Sequence, residues 1–218
     1  MRISVIFYFY FEFLYIKSNC VTFYLYSVLV SFQPGICFET LNQLNEFLSE
    51  TDKDRNVVLM FDAMHVRQLL EYNSFSDSVS GVETVDSERR SDVYAQCLLV
   101  FMLRSILHGW TQIIGHHFTR SVFNKHSLKP LIESYLTALH ASGLTCRAII
   151  CDQEPSHVSM FRAAGVSFDN PHIPCPVTGR KIYVVYDPPH LLKSARNNLL
   201  TSEFVVRLLE YLSFHKCC

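Results

Sequence analysis

Three short apolar runs in this chain each close on an aspartate: NVVLMFD at 56–62, TCRAIICD at 145–152 and KIYVVYD at 181–187. Runs this short, rich in Val and Ile and without regular polar alternation, have the pattern of strands buried on both faces. Each is followed by residues that bend or cap a chain, and helical patterns lie between them. A sheet whose strands are separated by helices is therefore the expected frame, in the α/β class. An acid at the rim of such a sheet is held rigidly by the ladder and still meets solvent. The plain alternative applies to all three, because Asp also favours turns and helix N-caps. Asp187, directly before Pro188-Pro189, fits that structural role best.

The rest of the chain fills in this frame. Residues 38–49 (FETLNQLNEFLS) space Phe38, Leu41, Leu44, Phe47 and Leu48 as one helical stripe. The turn signal Gln33-Pro34-Gly35 precedes them, and a charged connector, Thr51 to Asn56, follows. Residues 65–85 read as an irregular hairpin and 87–92 (SERRSD) as a solvated stretch. CLLVFMLRSIL (97–107) fits a strand or a helix, and WTQIIGHHFT (110–119) fits a strand. In a strand, His116 and His117 face opposite sides and cannot form a metal pair. A helix is expected from Ser127 as N-cap through Pro130 to Leu139. Leu131, Tyr135, Leu136 and Leu139 form one face, and Gly143 is the stop. A short helix over 154–164 ends at Gly165, and a last one begins near His190.

Composition narrows the partners. Hydrophobic residues make up 49% and charged residues 18% of the 218, with a net charge of −1. That balance is globular, and it lacks the overall basic excess of a duplex-DNA binder, leaving only room for a local basic patch. None of the eight cysteines forms a Cys-x-x-Cys pair, so neither a zinc ribbon nor a disulfide framework is indicated. His172 and Cys175 could be half of a metal site, but no second half has matching spacing. No phosphate loop, dinucleotide fingerprint or nucleophilic Ser-His-Asp order is present.

The first 33 residues stand apart. ISVIFYFYFEFLYI and CVTFYLYSVLVSF are nearly all apolar and aromatic, parted by Lys17, Ser18 and Asn19. Three readings stay open: a segment foreign to the domain, a signal or membrane-associated segment, or ordinary core strands. Neither piece reaches the roughly 18–20 residues of a spanning helix, although residues 3–32 leave membrane association open.

The motifs around the acids carry a resemblance. VVLMFDAMHVRQLLEYN, CLLVFMLRSILHGWTQIIGHHFT, GLTCRAIICDQEPSHVSMFRAAGV and IYVVYDPPHLLKSARNNLL follow one another as in P-element-type DNA transposases, including the THAP-domain group. The CDQ and DPPHLLK…RNN segments are the most distinctive, and the likeness spans roughly residues 34–200. It implies a ribonuclease-H-like mixed sheet with flanking helices and a catalytic triad of two aspartates and a glutamate. It also implies Mg²⁺ (or Mn²⁺) dependence, DNA cleavage and strand transfer, transposon-end DNA as partner and a nuclear location. Carried over residue by residue, Asp62 matches the first acid and Asp152 the second, as catalytic residues and metal ligands. Asp187 matches a motif residue outside the triad.

On this resemblance the chain divides into 1–33, a helical connector 34–55, and a ribonuclease-H-like part 56–218 truncated on its C-terminal side. The family's third acid, its GTP-binding insertion and its zinc finger are expected outside these residues. The resulting expectation is a transposase fragment inactive alone. The alternative is a non-catalytic remnant that binds DNA or protein, and association with further copies of the chain is open. Where the family has Asp-Glu-Met, this chain has Asp62-Ala63-Met64; strand alternation turns Ala63 away from Asp62. Glu203 and Glu210 read as the polar side of a helix. His190, Lys193 and Arg196, at i, i+3 and i+6 on the last helix, are the candidate DNA-binding groups, against the alternative of a solvated face.

Overall fold

The computed structural model describes residues 34–50, 55–68, 70–73, 78–84, 94–120 and 125–201. The apolar segment 1–33, the charged stretch 87–92 and the helix assigned to Glu203 and Glu210 lie outside the described residues.

Residues Gly35–Ile36 (β1), Asn56–His65 (β2), Cys97–Ser105 (β5), Thr111–Thr119 (β6), Thr145–Cys151 (β7), His172–Pro174 (β8) and Lys181–Tyr186 (β9) form one sheet, ordered β1-β6-β5-β2-β7-β9-β8. Glu71–Asn73 (β3) and Ser78–Ser80 (β4) pair separately as a hairpin. β2, β5 and β6 are antiparallel neighbours, whereas β7 runs parallel to β2 and β9 parallel to β7. The ambiguous run 97–107 is thus a strand. Its centre is buried, with β2 on one side and β6 on the other.

Among the described residues, four helices accompany the sheet: Phe38–Glu50 (α1), Lys125–Ala141 (α2), Pro155–Ala163 (α3) and Pro188–Thr201 (α4). β6 reaches the parallel strand β7 through α2, because a parallel partner needs a crossover that a tight turn cannot make. The helix α2 starts at Lys125, two residues before the expected cap, so Pro130 lies inside it. It stops as the sequence requires: Gly143 takes φ +71, and the Gly143 and Leu144 amides bond the His140 and Leu139 carbonyls.

Strand alternation sorts the core. Val57, Leu59, Phe61, Leu99, Phe101, Leu103, Ile114, Ile149, Ile182 and Val184 are buried on one face. Against them pack Leu41, Leu44 and Leu48 of α1, Leu128, Ile132, Tyr135, Leu136 and Leu139 of α2, and Met160 and Phe161 of α3. Phe38, at the very start of α1, falls short of the sheet and stays exposed. The Tyr135 ring stacks on Phe101 with centroids 3.9 Å apart. Gly115 permits that approach, since a Cβ there would overlap the Tyr135 hydroxyl. His117 points into this core beside Tyr135, and its neighbour His116 to the other side, as alternation demands. Among the described residues no helix is long and apolar enough to cross a membrane.

Candidate active site

The opposite face of the sheet carries the acids. Asp62 shares its side of β2 with Val58 and Met60, while Ala63 turns to the core side. β2 runs on to His65, so Asp62 sits inside the strand, not at its last position. The parallel register pairs Met60 with Ile150; continued for two residues, it sets Asp62 level with Asp152. The next pairing, Cys151 with Tyr186, likewise sets Asp152 level with Asp187. Neighbouring strands lie about 4.8 Å apart, so this register makes Asp62 and Asp152 neighbours across the sheet. All three aspartates line one depression, floored by Met60, Met102, Ile150 and Cys151.

The three acids are held differently. Asp62 is fixed by the strand on both sides, and its Oδ1 accepts the Ala63 N–H at 2.8 Å. Asp152 follows the last residue of β7 and has no such frame. Its Oδ1 accepts the His157 Nδ1–H at 2.6 Å and the Glu154 N–H at 3.2 Å. Asp187 is buried, and its Oδ2 accepts the His190 N–H at 3.2 Å. That bond makes it the N-cap of α4, with Pro188 and Pro189 at positions that need no amide proton. The structural reading of Asp187 therefore accounts for its bonding.

Electrostatics separates the first two acids. Burial raises the Asp62 carboxyl, and the neighbouring Asp152 charge raises it further, against the Ala63 amide and the His190 and His157 charges. Burial also pushes Asp152 upward, but the His157 hydrogen bond and charge and the Glu154 amide outweigh it and hold Asp152 below the usual carboxylate range. The surroundings thus disfavour the charged form of Asp62 and favour that of Asp152.

Two residues outside the sequence expectations enter here. Glu154 and His157 cluster with Asp152, their ligand-type atoms all within 4.8 Å of one another. The signal for them was local: in CDQEPSH, Pro155 starts α3 and puts His157 in its first turn, facing back to the acid five residues earlier. His190 is half-buried at the start of α4, and its charge acts on both Asp62 and Asp152, so it belongs to the rim of this site. Lys193 and Arg196 are exposed further along α4. His172 and Cys175 are half-buried at β8 and the turn after it, and they are not in the metal-type cluster found among the described residues.

A sheet of three antiparallel strands extended by two parallel ones, with acids on the first and fourth of these in chain order, is a ribonuclease-H-like arrangement. The chain belongs to the family described as TNP-like, RNase H N-terminal domain, whose model matches residues 32–165. It is 27% identical over 171 residues to the transposable element P transposase of Drosophila melanogaster, covering 78% of this chain and 20% of that relative. The chain thus spans about a fifth of that protein's length. Among solved structures it superposes on the Drosophila P element transposase strand transfer complex with a TM-score of 0.62 at 22% identity, covering 89% of this chain and 40% of the other. That likeness bears on the fold.

Proposed function

We propose that this domain supplies Asp62 and Asp152 as metal ligands to a DNA-cleaving and strand-transferring centre of the P-element transposase type. The observation that carries the reading is that the β2–β7 register, continued two residues, brings Asp62 level with Asp152 just past β7, with both lining one depression and each having one oxygen bonded to the protein. Their donor set suits Mg²⁺ or Mn²⁺, which take oxygen ligands and keep several waters when few carboxylates are offered. Divalent ions bound there would activate a water and stabilise the leaving oxygen of a phosphodiester. The protein's own part is to hold the two carboxylates rigidly on the open face and to keep Asp152 ionised through His157. DNA is the proposed partner, met through His190 at the rim and Lys193 and Arg196 further along α4, and the nucleus the proposed location. The family membership and the transposase relatives support both. Residues 34–55 add α1, which packs into the same core as the sheet of the 56–218 part. GTP is not assigned to any residue described.

With two rim aspartates as its ligands, the 218-residue chain is expected to bind metal loosely and not to cleave DNA alone, since two-ion chemistry tolerates little freedom in either ion. Calorimetry with Mn²⁺ on the wild type, Asp62→Asn and Asp152→Asn tests the site, with weak binding in the wild type lost in each variant. Equal heats in all three would remove the metal reading and leave a non-catalytic binding module. A strand-cleavage assay with Mn²⁺ and a labelled duplex tests the activity. Cleavage abolished by Asp62→Ala would show that the chain is competent as it stands.

A further inference from the structure

The two acids of the site pose different mechanical problems. Asp62 lies within β2, and ladder bonds to β5 fix its backbone on either side. Asp152 lies one residue beyond β7, where the chain leaves the sheet to enter α3. A carboxylate in such a turn has several rotamers open to it, and only some aim an oxygen at Asp62. Something other than the ladder must choose between them.

His157 has the contacts to do so. It is 1% exposed, in the first turn of α3, whose Met160 and Phe161 are plain core residues. If it were only core, its nitrogens would find carbonyls or water. Instead Nδ1 donates to Asp152 Oδ1 at 2.6 Å, and Nε2 lies 3.8 Å from Glu154 Oε2. Its ring also meets Phe61 edge to face, centroids 5.0 Å apart, and Phe61 is the residue next to Asp62. One buried ring therefore touches the turn that carries one acid and the strand that carries the other. The Glu154 amide, bonded to the same Oδ1, completes the clamp. Both donors fall on Oδ1, and Asp152 lines the depression it shares with Asp62.

We propose that His157 is a positioning residue, which locks the Asp152 rotamer so that one carboxylate oxygen faces Asp62 and ties Glu154 to the same centre. The functional consequence rests on the metal reading above; the positioning itself does not. Partners that orient metal-binding carboxylates typically cost about 10–100-fold in affinity when removed.

The test uses the full chain and three substitutions. His157→Phe keeps the ring against Phe61 and removes both nitrogens. His157→Asn places an amide where Nδ1 was, and His157→Gln places one nearer Nε2. Mn²⁺ affinity is measured by calorimetry, thermal melting checks folding, and crystal structures of the metal-free wild type and variants report the Asp152 side chain. His157→Phe is expected to melt cooperatively, to bind Mn²⁺ at least about tenfold more weakly, and to show Asp152 rotated. His157→Asn is expected to recover most of the affinity and the rotamer, and His157→Gln little. A folded His157→Phe with wild-type affinity and an unmoved Asp152 overturns the proposal. If His157→Phe does not fold, equal affinity and equal Asp152 placement in the Asn and Gln variants overturn it. If the wild type binds no Mn²⁺, the metal reading falls, and the metal-free structures still decide the positioning role.

Discussion

The two faces of the central sheet are built from the same strands and do opposite work. On one side Leu59, Phe61, Phe101 and Ile149 disappear beneath α1, α2 and α3. On the other, one residue along each strand, Met60, Asp62, Ile150 and Asp152 are only half-buried, and Tyr183 and Val185 of β9 are exposed. The period of two in a strand is what allows this division. The covered face can be close-packed without regard to chemistry. Along β2 and β7 this second face gives up burial around the two carboxylates, while Leu98, Val100 and Met102 of β5 stay buried on it. Core packing and the proposed metal ligands are thereby assigned to alternate residues of one segment.

The largest effect should come from breaking this division on the covered side. Leu59→Ala removes a fully buried side chain and is expected to cost about 2–5 kcal/mol, whereas Met60→Ala, next to it on the half-open face, should cost clearly less. Urea unfolding midpoints at unchanged slope measure the difference. Equal losses would mean that the second face is as tightly covered as the first.

A smaller effect is expected at the clamp. Asp152→Asn weakens a charge-assisted bond to a buried histidine and should cost about 1–3 kcal/mol. The pH dependence has a definite sign. The folded-state pKa of Asp152 is depressed, so its contribution is present above the unfolded carboxylate value and is lost as pH falls through the folded value. Acid melts of wild type and Asp152→Asn should therefore converge at low pH. Curves that stay parallel throughout would sink the clamp as a source of stability.

The faces were legible in the sequence to the extent that periodicity carries them. The three apolar runs became β2, β7 and β9, and the stripes at 41–48 and 131–139 became the covering sides of α1 and α2. Asp62 and Asp152 were located by the ends of those runs and by the family likeness. Run length alone misplaced Asp62 at a strand terminus, because Ala63, Met64 and His65 continue the ladder opposite Leu99, Leu98 and Cys97. Cys97–Ser105 could not be settled by pattern, since a strand buried on both faces and a buried helix look alike over nine residues. His157 and Glu154 were missed for another reason. Their role comes from the angle at which α3 leaves β7, and no periodicity encodes an angle. His190 was taken for a phosphate contact because its spacing with Lys193 and Arg196 was visible, while its nearness to the acids depends on Asp187 capping α4.

Asp62→Asn should act in the opposite direction to Asp152→Asn. The pKa of Asp62 is raised in the fold by burial and by Asp152, so its ionisation opposes folding as pH rises above the unfolded carboxylate value. Without metal, the neutral amide is expected to stabilise the chain at pH 7 by about 0.5–1 kcal/mol, in the lower half of what stabilising substitutions give. The gain should vanish in acid, where the carboxyl is protonated in both states. Saturating Mn²⁺ should reverse the ranking, since binding to the folded state stabilises only the protein that keeps the ligand. Thermal melts at two pH values, with and without Mn²⁺, check all of this. A destabilised Asp62→Asn at neutral pH without metal would mean that the Ala63 amide bond outweighs burial.

The smallest effect on the fold belongs to the exposed groups of α4, and it sharpens the contrast between residues that hold the sheet and residues that only meet a ligand. Lys193 and Arg196 project into solvent, so their replacement by alanine should leave the melting temperature unchanged. Their proposed work is with DNA phosphates, which carries a signature separate from stability. Every phosphate that a duplex-binding protein no longer neutralises makes the slope of log K against log salt less negative by about 0.9. The double variant Lys193→Ala/Arg196→Ala is therefore expected to bind a duplex more weakly at low salt and to show a slope smaller by roughly 2. Because the chain's net charge is −1, binding should be weak from the start, and low ionic strength is the regime to measure. His190 should behave differently: its charge acts on Asp62 and Asp152, so His190→Ala is expected to change Mn²⁺ binding as well as DNA binding. Fluorescence anisotropy across a salt series distinguishes the two cases, and an unchanged slope in the double variant would return Lys193 and Arg196 to the role of a solvated helix face.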